Sequence, residues 1–189
     1  CDNQGRFYAG TMDDIGNNPT GSFYILYNDL TYKKFDDGYE VTNGPTFSLN
    51  YNKIYFTDTR KGKIYVSDLN EDGTLVEKKI FISIPPNEGK PDGMTIDQEG
   101  FLWVALFGGS CINRYNIKGE KIDTIPLPVS CPTSCVFGDK NLDTLFITSA
   151  SFKLNDDQKK KEPQAGSLFK VKMNINGFKT NKFIKKNKS

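Results

Sequence analysis

Histidine is absent from all 189 residues. That removes a Ser-His-Asp triad, a Cys-His pair, a HExxH zinc site and an imidazole base from this chain. Any metal ion must then be held by oxygen from Asp, Glu, Asn or backbone carbonyls. Such donors suit hard cations such as calcium, magnesium or manganese. Excess charge of one sign is also missing. The 25 basic and 23 acidic side chains leave a net +2, too little to argue for nucleic acid or an anionic membrane as partner. No apolar run approaches the roughly 20 residues that span a bilayer. Cysteine is sparse. Cys1, Cys111, Cys131 and Cys135 are too few for a disulfide scaffold and lack the close CxxC pairs of zinc sites, so they read as structural thiols. The chain opens at Cys1-Asp2-Asn3-Gln4-Gly5, inside a turn and without methionine. The expectation is that an N-terminal piece is absent, so the lack of a signal peptide leaves secretion open.

Helical periodicity is nearly missing too. What is present is strand and turn: apolar residues alternate or cluster in runs of four to six, rich in Val, Ile, Phe, Tyr and Thr. Gly, Asp and Asn lie between the runs. Two kinds of run repeat. The first is Asp2-x-x-Gly5-Arg6-Phe7-Tyr8-Ala9-Gly10, which returns as Asp97 to Ala105 and more loosely as Asn50 to Asp58 and Asp139 to Thr148. The second follows Gly21, Gly62, Gly109 and Gly166, at intervals of 41, 47 and 57 residues. A period of about 40–50 residues with several short strands is the pattern of β-propeller blades, with a β-sandwich as the alternative. Stacking sheets face to face would bury both surfaces of each, as the apolar runs require. The expected fold is all-β, a single propeller domain over residues 1–189 with about four blades. Since propellers have four to eight, the chain reads as the C-terminal part of a larger ring. Residues 154–164 lengthen the last interval and read as a loop insertion, and 185–189 as a basic tail. Trp103, Phe101, Phe56 and Phe146 are expected in the core between blades. Asp58, Asp68 and Asp97 are expected at turns or strand ends.

The stretch from Lys90 to Asp97 places a carboxylate and a glycine, Asp92-Gly93, at the start of an apolar run. Asn43-Gly44 and Thr133-Ser134 take the same place in two other repeats. The first strand of a propeller blade lies nearest the axis, so polar residues at its start point into the channel. Repeat symmetry would thus gather Asn43, Asp92 and Thr133, with Met12 and Met94 flanking them. Read singly, an Asp-Gly or Asn-Gly pair marks only a turn.

In combination these runs are more specific. Gly5 to Met12, Thr42-Asn43-Gly44, Tyr55 to Asp58, Lys90-Pro91-Asp92-Gly93-Met94, Gly100 to Ala105 and Thr133 to Gly138 resemble the regucalcin/gluconolactonase family, of senescence-marker-protein type, in order over nearly the whole chain. The resemblance implies a six-bladed propeller and one divalent cation (Ca2+, Zn2+, Mn2+ or Mg2+). It implies Asn43 and Asp92 as metal ligands, Asp92 also as the catalytic base, and Asp14, Met94 and Thr133 as substrate contacts, with Ser134 beside Thr133. The family's third ligand, a Glu, and its substrate-binding Arg and Asn fall before residue 1. The implied reaction is hydrolysis of a sugar-acid lactone, with a small-molecule lactone as the only partner. It further implies a cytoplasmic, monomeric or weakly oligomeric protein that contacts neither nucleic acid nor membrane. The alternative is a calcium-binding regulatory or interaction propeller without turnover.

Overall fold

Nearly every strand begins where a short polar turn hands over to an apolar run. The computed structural model describes residues 1–185. By internal packing the chain divides into two units: residues 1–81 with the segment from Lys179, and residues 82–178. The sequence reading expects a single domain.

The first unit carries two antiparallel meanders. One is β1 (Phe7–Gly10), β2 (Gly21–Leu26) and β3 (Tyr32–Tyr39), paired in sequence order. The other is β4 (Thr42–Phe47), β5 (Lys53–Asp58), β6 (Lys63–Asp68) and β7 (Lys79–Ser83), also in sequence order, with the division of the chain falling inside β7. The second unit repeats the plan. Here β8 (Lys90–Ile96), β9 (Leu102–Phe107), β10 (Cys111–Tyr115) and β11 (Lys121–Pro126) form a four-stranded sheet. A three-stranded sheet follows from β12 (Pro132–Gly138), β13 (Thr144–Ser149) and β14 (Leu168–Lys172). Four up-and-down sheets of this kind are blades, and the fold class is all-β, of propeller type. No helix among the described residues is long and apolar enough to cross a membrane.

The Asp-x-x-Gly turn sets where β1 and β9 begin. Asp97 Oδ1 accepts the N–H groups of Glu99 and Phe101, while Gly100 supplies the positive φ of +80° that closes the turn. Its Oδ2 accepts Trp103 Nε1 and the Arg114 guanidinium. Asp2 repeats this arrangement. Oδ1 accepts from the N–H groups of Gln4 and Arg6, Oδ2 from Arg6 Nε and Tyr8 OH, and Gly5 stands at +75°. Both carboxylates are essentially inaccessible, so each is stable there only because every oxygen is bonded and a guanidinium balances its charge.

Each unit has its own core, formed between its two sheets. In the first, Phe23, Ile25, Ile54 and Phe56 are fully buried, with Tyr8, Tyr39 and Phe47 around them. Phe23 meets Phe56 edge-on at 5.2 Å. In the second, Trp103, Ala105, Ile112, Leu145 and Ile147 pack with Cys135 and Phe137. Phe56 and Trp103 are thus core as expected, whereas Phe101 and Phe146 are only half-buried. Phe146 lies across Gly138, where any Cβ would strike its ring. Asp58 and Asp68 end β5 and β6, and Asp97 follows β8, as anticipated.

Residues 154–164 connect β13 to β14 and contain a short helix, α1 (Asp156–Lys161). Asn155 accepts from Gln158 N, and Gln158 returns a bond to the Asn155 N–H. That capping box is why an otherwise polar insertion turns helical. Of the expected basic tail, only Lys185 lies within the described residues.

Candidate functional site

The polar residues singled out by the repeat sit at irregularities in the first strand of each four-stranded blade and of the last one. β4 pairs with β5 up to Asn43↔Thr57 and resumes at Thr46↔Tyr55, so Gly44 and Pro45 together oppose Phe56. β8 pairs with β9 up to Pro91↔Leu106 and resumes at Met94↔Val104, so Asp92 and Gly93 oppose Ala105. β12 passes from Pro132↔Ser149 to Ser134↔Thr148 and leaves Thr133 out of the ladder. Each bulge interrupts pairing and re-aims the side chains at that end of the strand. The repeat spacing predicts one common position for the three residues. The ladder corrects this: Asn43 is the last paired residue before its bulge, whereas Asp92 and Thr133 lie inside theirs. Two residues are extruded in two blades and one in the third, so equal spacing along the chain does not give equal register.

Within the second unit, β8 and β12 run side by side, and Gly93 lies directly against Ser134. A Cβ built at Gly93 would stand 2.3 Å from Ser134 Oγ and 2.9 Å from its Cα. The glycine after Asp92 is therefore required by close approach, and it brings Asp92 to the Thr133-Ser134 corner. Thr133 Oγ1 bonds Thr148 Oγ1 at 2.7 Å. Met94, the first paired residue after the bulge, is buried.

Asp92 is the electrostatic anomaly of this corner. Among the described residues its carboxylate is bonded by the Gly93 N–H alone, and burial pushes its pKa up to about 7. A half-buried carboxylate without a counter-ion is unstable as an anion and demands either a proton or a cation. Cys135, on the neighbouring strand, is no rival nucleophile. Burial pushes its thiol up to about 12, and its Sγ donates to Trp103 O at 3.4 Å.

Asn43 and Asp14 belong to the first unit. Asn43 Nδ2 donates to Thr59 Oγ1 at 2.9 Å, which leaves Oδ1 without a donor among the described residues. Directly across the ladder, Thr57 Oγ1 is fully buried and also unbonded. Asp14 stands exposed in the segment joining β1 to β2, as does Met12. Among the described residues no three His, Cys, Asp or Glu side chains form a cluster for a metal. Taken separately, Asp92 in the second unit and Asn43 in the first each offer an uncompensated oxygen acceptor of the kind that suits a hard divalent cation.

Sequence reasoning missed Thr59, whose contact with Asn43 depends on the β4–β5 register. It also missed the surroundings of Phe107 and Phe152 at the Asp92 end of β9, treated below. Lys90, next to Pro91-Asp92, was the available signal.

Residues 1–151 match the family described as SMP-30/Gluconolactonase/LRE-like region. Regucalcin of Xenopus laevis is 34% identical over 177 residues, covering 90% of this chain and 59% of the relative. Among solved structures, a calcium-binding regucalcin from Agrobacterium tumefaciens superposes with a TM-score of 0.91 at 26% identity, over 96% of this chain and 62% of that one. A gluconolactonase of Xanthomonas campestris gives 0.66 at 25% identity, over 77% and 50%. The chain thus spans about three-fifths of the length of regucalcins it matches.

Proposed function

The chain belongs to the SMP-30/gluconolactonase/LRE-like family, and from that membership we propose that the whole protein hydrolyses sugar-acid lactones with the help of one divalent cation. The observation that carries this reading is the Asp92 carboxylate, buried without a counter-ion at a bulge. Asn43 and Asp92 are its ligands in this proposal, an amide oxygen and a carboxylate. A cation bound there supplies Lewis-acid polarisation of the lactone carbonyl. Using an amide for one ligand keeps the negative charge low, so that polarising power is preserved.

The chain's own groups then have defined tasks. Asp92 accepts a proton from the attacking water. The water oxygen bonds to the carbonyl carbon, the ring carbon–oxygen bond breaks, and the ring oxygen leaves as a hydroxyl carrying a proton. Thr133 and Ser134, held against the Asp92-Gly93 bulge, line the approach with hydroxyls. Met94, buried next to the bulge, and Asp14, in the segment after Gly10-Thr11-Met12, complete the substrate contacts of this proposal.

A second reading is cation binding without turnover, favoured by the calcium-binding regucalcin among the structural relatives. Hydrolysis of glucono-1,5-lactone by the whole protein, followed with and without added Ca2+, Mn2+ or Zn2+, separates the two. The lactonase reading expects cation-dependent cleavage that Asp92→Asn abolishes. Cation binding with no cleavage of any aldonolactone would favour the second reading.

A further inference from the structure

Lys90 opens β8 two residues ahead of Asp92, and it pairs directly with Phe107 at the end of β9. Directly opposed residues of an antiparallel pair project from one face, so the ammonium and the ring share a face. Phe107 in turn meets Phe152, with centroids 6.0 Å apart. Phe152 is 73% exposed, in the segment that follows β13. Lys153 places its Nζ 5.8 Å from the Phe107 ring and 5.5 Å from the Phe152 ring. Two ammonium groups and two aromatic faces thus gather at the end of the sheet where Asp92 sits. Lys90 stands two positions before Asp92, with Pro91 between them, roughly 7 Å along the strand.

The charge here is uncompensated. Lys33, Lys53, Lys78, Lys121 and Lys172 each hold a carboxylate. Among the described residues, neither Lys90 nor Lys153 does. Asp92 is not the missing partner, since its altered pKa arises from burial and one backbone bond, with no contribution from a lysine. A half-buried lysine beside an aromatic pair, with no anion from the chain itself, is built to receive an anion from outside.

The geometry points to an anion-accepting lip for the substrate of the Asp92 site: Lys90 and Lys153 bind a phosphate or carboxylate carried at the far end of the lactone, while Phe107 and Phe152 pack against the sugar's C–H face. This rests on the lactone-hydrolase reading for its substrate, but binding can be measured without turnover. The test is calorimetric titration of the cation-loaded whole protein with gluconate, glucarate and 6-phosphogluconate. The lip predicts that at least one of the two acids with a second anionic group binds about tenfold more tightly than gluconate. The tighter of those two identifies phosphate or carboxylate as the group recognised. Lys90→Gln and Lys153→Gln should each close most of that gap, and raised salt should narrow it. Equal affinities for the three acids, or a preference that survives both substitutions, would overturn the lip. If no lactone is cleaved yet the anion preference holds and needs both lysines, the hydrolase reading fails and the lip stands. If neutral and anionic lactones are cleaved equally well, the lip fails and the hydrolase reading stands.

Discussion

At the scale of single residues, Asp92 sets the behaviour with pH. Its folded pKa of about 7 lies above the ordinary carboxylate value. Between the two, the folded chain holds a proton that the unfolded chain has lost. Stability in the absence of cation therefore falls as pH rises from about 4 to about 7. Thermal melts across that range should show the decline, and Asp92→Asn should flatten it. Cation and proton compete for the same oxygens, so cation affinity should climb with pH and level off just above 7. Thr59 offers a finer test. It accepts the Asn43 Nδ2–H and so fixes which amide atom is left as the acceptor. Thr59→Val should weaken cation binding about tenfold, while Thr59→Ser keeps it. Asp92 stood out in the sequence because it is the carboxylate among polar residues that recur, as Asn43, Asp92 and Thr133, at the spacing of the repeat. Thr59 was not, because only the strand register shows which hydroxyl lies beside the amide.

At the scale of elements, the Asp-x-x-Gly turn is the device that starts β1 and β9. Asp97 is fully buried and bonds two backbone N–H groups, the Trp103 indole and the Arg114 guanidinium. Asp97→Ala leaves the Arg114 guanidinium with Glu99 alone and orphans two backbone N–H groups and the Trp103 indole; it should cost about 3–5 kcal/mol, read from denaturant unfolding followed by fluorescence of the single Trp103. The strands themselves were readable, since apolar runs at a fixed phase between Gly and Asp leave little else to form. The bulges were not. Whether one or two residues leave a ladder depends on what packs beneath, as Ser134 does under Gly93, and that neighbour lies about forty positions away in sequence. The helix α1 could have been found from Asn155-x-x-Gln158, but its polar composition offered no apolar face to follow. Gly93→Ala should push the bulge away from Ser134 and cost about 1–3 kcal/mol, and it should weaken cation binding along with stability.

At the scale of the whole chain, the lack of histidine removed imidazole chemistry by its own residues, and the repeat period carried the fold class. Each unit buries its own aromatic and aliphatic core between its two sheets, and the chain divides inside β7, the last strand of the second blade. The repeat cannot say how many residues each ladder extrudes, so it could propose Asn43 and Asp92 as ligands without fixing their geometry. The central claim is that these two residues hold one cation that supports lactone cleavage. Calorimetric titration of Ca2+ or Mn2+ into the whole protein, with Asn43→Ala and Asp92→Asn beside it, addresses that claim most directly. The predicted result is one cation per chain, lost in both variants together with hydrolysis of glucono-1,5-lactone. Undiminished cation binding by Asp92→Asn would contradict it.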